Sequence, residues 1–267
     1  MIGIWDSVMQ LFVENNINIH IYGTFLWSFL IYWIIGFSYT AIDLIRGPKS
    51  IYKYKINKSY KVTSKDVYKT MKNVLLNQIL IQFALSLISL PILRRHEYSV
   101  SRQDFSPNYW RILIHLLICV VIEEMGFYYS HRLLHLNKFY KYIHSKHHHW
   151  TVPTAIAASY CHPIEHIISN VLPIYLGPML LNSHLAFLWL WIAIATITSL
   201  HTHSGFHLPL GLSPQFHNYH HSHFNQNFGV LGIMDKIHKT DKLFRKSKES
   251  QRHKWLLTTK PSQEVFQ

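Results

Sequence analysis

The sequence predicts an all-α, polytopic membrane protein, with about four to five membrane helices and a helical cap on one side. Three observations lead there. Apolar runs of about 20 residues, long enough to cross a bilayer as helices, recur along a chain of 267 residues. Only 15% of the residues are charged, against about a quarter in ordinary soluble proteins. The 26 Lys and Arg residues fall in blocks between the apolar runs, the pattern of a membrane protein with charged loops. That distribution argues against a nucleic acid partner despite a net charge of +13. Nothing in the middle of the chain reads as a linker, so one domain is expected.

The elements follow in order. MIGIWDSVMQ has no basic stretch before its apolar residues, so no signal peptide is expected. The first span runs from Ile21 to Ile42 and ends at Gly47-Pro48. Residues 46–72 hold nine Lys and Arg residues interleaved with tyrosine, which reads as an interfacial loop. The second span covers 73–93, with Asn77, Gln78 and Gln82 set to face neighbouring helices. The third covers 109–130 and continues without a break into His131; Glu124 lies near its end. Residues 162–200 hold two apolar segments parted by Leu181-Asn182-Ser183, a membrane hairpin. The three regions are 1–107, with spans and a basic loop; 108–241, with the chemistry; and 242–267, a basic tail.

With a luminal N-terminus, segments 46–72, 131–160 and 201–267 share one side and hold 9, 4 and 9 basic residues. The opposite loop holds Arg94, Arg95 and Arg102. The positive-inside rule therefore puts the larger set in the cytosol, and the sequon Asn57-Lys58-Ser59 should stay unglycosylated. Cys119 and Cys161, the two cysteines, are expected as buried free thiols.

Histidine is the compositional outlier, with 21 residues against 13 Asp and Glu. Ten stand in four groups on the cytosolic side: His131 and His135; His144, His147 and His148; His203 and His207; His217, His220 and His221. Each group has the i, i+3 or i+4 spacing that aligns side chains on a helix face. Such spacing suits a metal ion, and imidazole serves iron, zinc, copper and nickel alike. Ten neutral ligands exceed what one ion takes, so two ions are expected. A structural zinc site would ordinarily use cysteine. Histidine in excess beside a membrane suggests redox iron acting on dioxygen, although the spacing alone fits the other metals equally. His162, Glu165 and His166 are expected to support ligands from behind or to gate the substrate, and Glu124 either to orient a ligand histidine or to cap or snorkel at the membrane surface.

HRLLH, HSKHH, HSGFH and HNYHH, in that order, resemble the histidine boxes of the membrane fatty acid hydroxylase superfamily, which includes methylsterol monooxygenases and sterol desaturases. His162-Pro163-Ile164-Glu165, His203-Ser204-Gly205 and Phe224-Asn225-Gln226-Asn227 also match. GVLGIMDKIHKTD resembles the closing segment, with Met234 where the family has Trp. His207 stands where sterol oxidases often carry an acidic or amide residue, and is closer to the lipid hydroxylase pattern. The resemblance covers roughly 108–241. It implies a non-haem enzyme of the endoplasmic reticulum with two iron ions held by the ten histidines. It also implies O2 as co-substrate, a sterol or other lipid entering from the bilayer, and a haem or flavin electron-donor protein with its reductase. A desaturase with the same site, and a non-catalytic metal-binding membrane protein, are the other readings.

Overall fold

The computed structural model describes residues 19–88 and 108–266. The loop with Arg94, Arg95 and Arg102, the first 18 residues and the expected end of the second span lie outside them. Among the described residues there are helices and turns but no strand. Helix α1 spans Thr24–Ile45 and follows a π-turn at Ile19–Gly23. Helix α2 spans Ser64–Leu76 and runs on through a π-turn at Asn77–Gln82 into Phe83–Ile88. Helix α3 spans Tyr109–Leu134, α4 Leu172–Leu180 and α5 Leu185–Ser204. In the cap, α6 spans Gln215–His223 and α7 Ile233–His238.

Four of these runs are long and apolar enough to cross a membrane: Ile21–Ile45, Ser64–Ile88, Tyr109–Leu134 and Leu185–Ser204. Their packing is inverted relative to a soluble protein. Leu26, Ile34, Leu80, Ile114 and Leu117 face outward, while Thr24, Ser28, Asp43, Asn77, Gln78 and Glu124 are buried. An exposed apolar belt around an interior that mixes apolar and polar side chains is what lipid rewards and water penalises. The multi-pass membrane architecture is therefore legible in the burial pattern as well as in the hydropathy.

One boundary differs from expectation. The second span begins at Ser64 rather than at residue 73, because Thr63 Oγ1 accepts from Asp66 N and caps the helix there. The last third of the lysine–tyrosine segment is thus helix, and this helix turns Val67, Thr70 and Val74 inward. The expected hairpin is present. Pro163–Glu165 and a π-turn at His166–Val171 lead into α4, which packs along α3, and α5 returns. Gly177 makes that packing possible: a Cβ there would lie 2.8 Å from Cys119 Sγ. Both cysteines are buried and free.

A segment between the histidine groups enters the bundle. Ala155–Ser159 forms a 3-10 turn packed against α1, α2 and α5. Its small side chains allow this, and its backbone is satisfied from outside: Tyr32 donates to Ile156 O, and Asn77 Nδ2 to Ser159 O and Cys161 O. The loop after α1 crosses to the end of α5, where Lys55 pairs with Asp43 at 2.7 Å and donates to Ser204 O at 2.7 Å. Burial lowers the Lys55 pKa, and the Asp43 carboxylate counters it.

Candidate metal centre

Nine of the ten expected histidines converge in two groups. His131, His135, His144, His148 and His220 form one; His147, His203, His217 and His221 form the other. All except His135, which is half-buried, are buried. The elements explain the convergence. His131 and His135 end α3, His144–His149 is a 3-10 turn, His203 is in the last turn of α5, and α6 carries the rest.

The two H-x-x-H-H motifs do not each serve one group. His144 and His148 join the first group and His147 the second; His220 joins the first, His217 and His221 the second. A 3-10 turn has three residues per turn, so His144 and His147 stack along its axis, with ring centroids 5.5 Å apart. Each therefore meets different partners. In α6, His217 and His221 share a face at i, i+4, and His220 is turned away from it.

The electrostatics ask for cations. In five of the nine, Nδ1 faces a carbonyl: His131 to Phe228 O and His220 to Gln226 O at 2.7 Å, His203 to Ser199 O at 2.7 Å, His221 to Trp150 O at 2.8 Å, and His147 to Tyr160 O at 3.3 Å. A carbonyl only accepts, so Nδ1 carries the proton and Nε2 keeps its lone pair. A sixth, His144 Nδ1, lies 2.8 Å from Glu165 Oε1 in a bent contact that is not a well-formed hydrogen bond. The Nε2 atoms converge within each group: His131 and His144 at 3.0 Å, His148 and His220 at 3.1 Å, His203 and His217 at 2.9 Å, His217 and His221 at 3.1 Å. In each pair one Nε2 has its lone pair fixed by a carbonyl on the far side of the ring, and lone pairs gathered this closely suit a cation between them. Burial also keeps the rings neutral, pushing His147 down to about 4 and the pKa values of His135, His144, His148, His217, His220 and His221 below the ordinary histidine range; in all of these except His147, neighbouring imidazoles add to the effect. Neutral, buried, pre-oriented imidazoles fit a metal ion in each group.

His207 is not brought into either group. Gly205, at φ 67°, ends α5 in the left-handed conformation, so the helical i, i+4 relation to His203 is broken. His207 N bonds Tyr54 O, and its Nε2 bonds Lys254 O at 3.0 Å. The four supporting residues divide. Glu165 contacts His144. His162 caps its own helix, Nδ1 accepting from Ile164 N. His166 is buried on a cavity wall. Glu124 touches no ligand directly: its carboxylate accepts from Val230 N, Leu231 N and Met234 N.

Asp235 completes this arrangement, and nothing singled it out in the sequence beyond its place in the closing segment. It accepts from Phe228 N, Gly229 N and Thr240 Oγ1. Glu124 and Asp235 together hold segment 226–235, whose Gln226 and Phe228 carbonyls orient His220 and His131. Gly229 passes between the two acids, where a Cβ would lie 2.6 Å from Glu124 Oε1 and 2.9 Å from Asp235 Oδ2.

A cavity of about 300 Å³ extends among the membrane helices and reaches His147, His203 and His217. Val120, Phe127, Ile174, Trp191 and Ile192 make much of its wall apolar. The four-histidine group borders this cavity; the five histidines of the other group do not line it.

The fatty acid hydroxylase family profile matches residues 116–240. The chain is 37% identical over 262 residues to fatty acid hydroxylase domain-containing protein 2 of Homo sapiens, covering 97% of this chain and 78% of that protein. It is 30% identical over 255 residues to methylsterol monooxygenase 1 of Danio rerio, covering 91% and 84%. It is 31% identical over 212 residues to fatty acid hydroxylase ahd1 of Mycosarcoma maydis, covering 79% and 55%. No solved structure matches the chain.

Proposed function

Since the chain belongs to the fatty acid hydroxylase family and is thereby an oxygen-dependent oxidoreductase acting on membrane lipid, we propose that it is a non-haem di-iron monooxygenase hydroxylating a sterol at a C4 methyl group, or a related lipid. One observation carries this reading. The rings of His147 and His203, set by backbone carbonyls, stand with His217 at the end of a largely apolar cavity among the membrane helices. The likeness to methylsterol monooxygenase 1 over 91% of the chain favours a sterol.

Two bound irons would supply dioxygen activation and removal of hydrogen from an unactivated C–H bond. His131, His135, His144, His148 and His220 would hold one, and His147, His203, His217 and His221 the other. The chain does the rest. Carbonyls of Trp150, Tyr160, Ser199, Gln226 and Phe228 fix ring tautomers. Val120, Phe127 and Trp191 give the cavity an apolar wall. A lipid entering between the helices presents its carbon to the His147, His203 and His217 side, which makes that group the one beside the substrate. The basic blocks at 46–72 and 236–260 support a cytosolic face, reached there by a haem or flavin electron donor, in the endoplasmic reticulum.

The test uses the full-length protein in nanodiscs. We expect two iron atoms per chain and O2-dependent conversion of a 4,4-dimethylsterol to a product carrying one added oxygen. His147→Ala should lose metal and all turnover. Cells lacking the protein should accumulate 4-methylsterols. A change confined to acyl chains would overturn the sterol reading, and turnover persisting in His147→Ala would overturn the di-metal one.

A further inference from the structure

Two π-turns meet across the cavity. Asn77–Gln82 in α2 and His166–Val171 before α4 pack against each other. Such turns recur at functional sites in α-helices, and here they aim polar groups at a largely apolar space. Gln78, Gln82, His166, Ser169 and Asn170 all line it. Four of the five are engaged. Gln78 Oε1 accepts from Trp33 Nε1, Gln82 Nε2 donates to Ser28 Oγ, Ser169 Oγ donates to Ser130 Oγ, and Asn170 Nδ2 lies 3.7 Å from Cys161 Sγ. His166 is the exception. It is 3% exposed, and neither ring nitrogen has a partner. It belongs to neither histidine group. It directly follows Glu165, whose Oε1 lies 2.8 Å from His144 Nδ1, so it stands at the metal end of the wall.

A buried imidazole without partners is unfavourable until something fills both positions. A neutral ring offers one donor and one acceptor. A hydroxyl answers either. A carboxylate or phosphate only accepts, and would bring negative charge to a wall whose described residues include Glu123 and no Lys or Arg. We propose that His166 recognises the hydroxyl of a neutral lipid alcohol and thereby sets which carbon lies beside His147, His203 and His217. The choice of carbon rests on the monooxygenase reading above; the binding does not.

The test reads binding apart from turnover. The full chain, iron-loaded in nanodiscs, is titrated with a tritiated 4,4-dimethyl-3β-hydroxysterol and with its 3-O-methyl ether. Wild type should bind the alcohol about 10–100-fold more tightly, since the ether has lost the hydroxyl proton and leaves the ring's acceptor nitrogen buried without a partner. His166→Phe should bind both at the ether's level with iron content unchanged. His166→Gln, which keeps a donor and an acceptor, should recover part of the preference. Equal binding of the two sterols by wild type, or a preference surviving in His166→Phe, overturns the proposal. So does loss of iron together with the preference in both variants, which would make His166 a positioning residue for the metal groups. A wild type that prefers the alcohol yet oxidises neither sterol supports the recognition and refutes the reaction.

Discussion

Glu124→Ala should empty one metal group and spare the other. The Glu124 carboxylate accepts three backbone N–H groups, from Val230 at 2.9 Å, Leu231 at 2.8 Å and Met234 at 3.2 Å, and is 1% exposed. Each such charge-assisted bond contributes about 1.5–3 kcal/mol, and each donor left buried without a partner costs about 1–3 kcal/mol. Relief from burying the acid offsets part of this, so a net local loss of about 3–5 kcal/mol is expected. It falls on segment 226–235, and so on the Gln226 and Phe228 carbonyls that orient His220 and His131. Loss of such orienting partners lowers metal affinity by about 10–100-fold. The second group takes its orientation from Trp150, Tyr160 and Ser199, none of which lies in that segment. Dialysis against a graded chelator, followed by elemental analysis, should show one iron lost early and one retained. Glu124→Gln is the calibrating variant. Its single oxygen can still serve Val230 and Leu231, but its NH2 faces Met234 N, so the shift should be intermediate. Two irons held as in wild type, or both lost together, would refute the argument.

His207→Ala should keep both irons, because His207 lies outside both groups; the lost bond to Lys254 O should cost about 1 kcal/mol, seen as a small fall in Tm. Loss of an iron would return it to the ligand set. Lys55→Met leaves Asp43 buried and unpaired and should destabilise the protein by about 3–5 kcal/mol. Adding Asp43→Leu should recover much of that loss in denaturant unfolding; no recovery would show that Lys55 acts through Ser204 O instead.

The membrane helices were legible because length and apolarity are local properties of the chain. The ligand types were legible for the same reason. What the spacing could not convey was how the motifs divide. H-x-x-H-H reads as one helical face, but HSKHHH adopts a 3-10 turn and α6 an α-helix, and each sends its rings two ways. His207 shows the reverse: the signal was present in Gly205, whose left-handed conformation ends α5, and was outweighed by the regular spacing to His203. Glu124 was picked out correctly as a buried acid, but its path to His131 runs through a backbone segment 106–110 residues away in sequence. No local pattern reports such a contact. The start of α2 was missed because its Thr63 cap sits inside a lysine-rich stretch that reads as loop.

The divided motifs have a further consequence. His147 and His148 are consecutive residues serving different groups, with rings 5.7 Å apart; His220 and His221 are another such pair, at 5.8 Å. Two peptide units, from opposite sides of the site, therefore act as fixed rulers between the centres. The spacing of the two histidine groups is thus set in part by the backbone. A backbone shift at either peptide unit would therefore move a histidine of both groups at once.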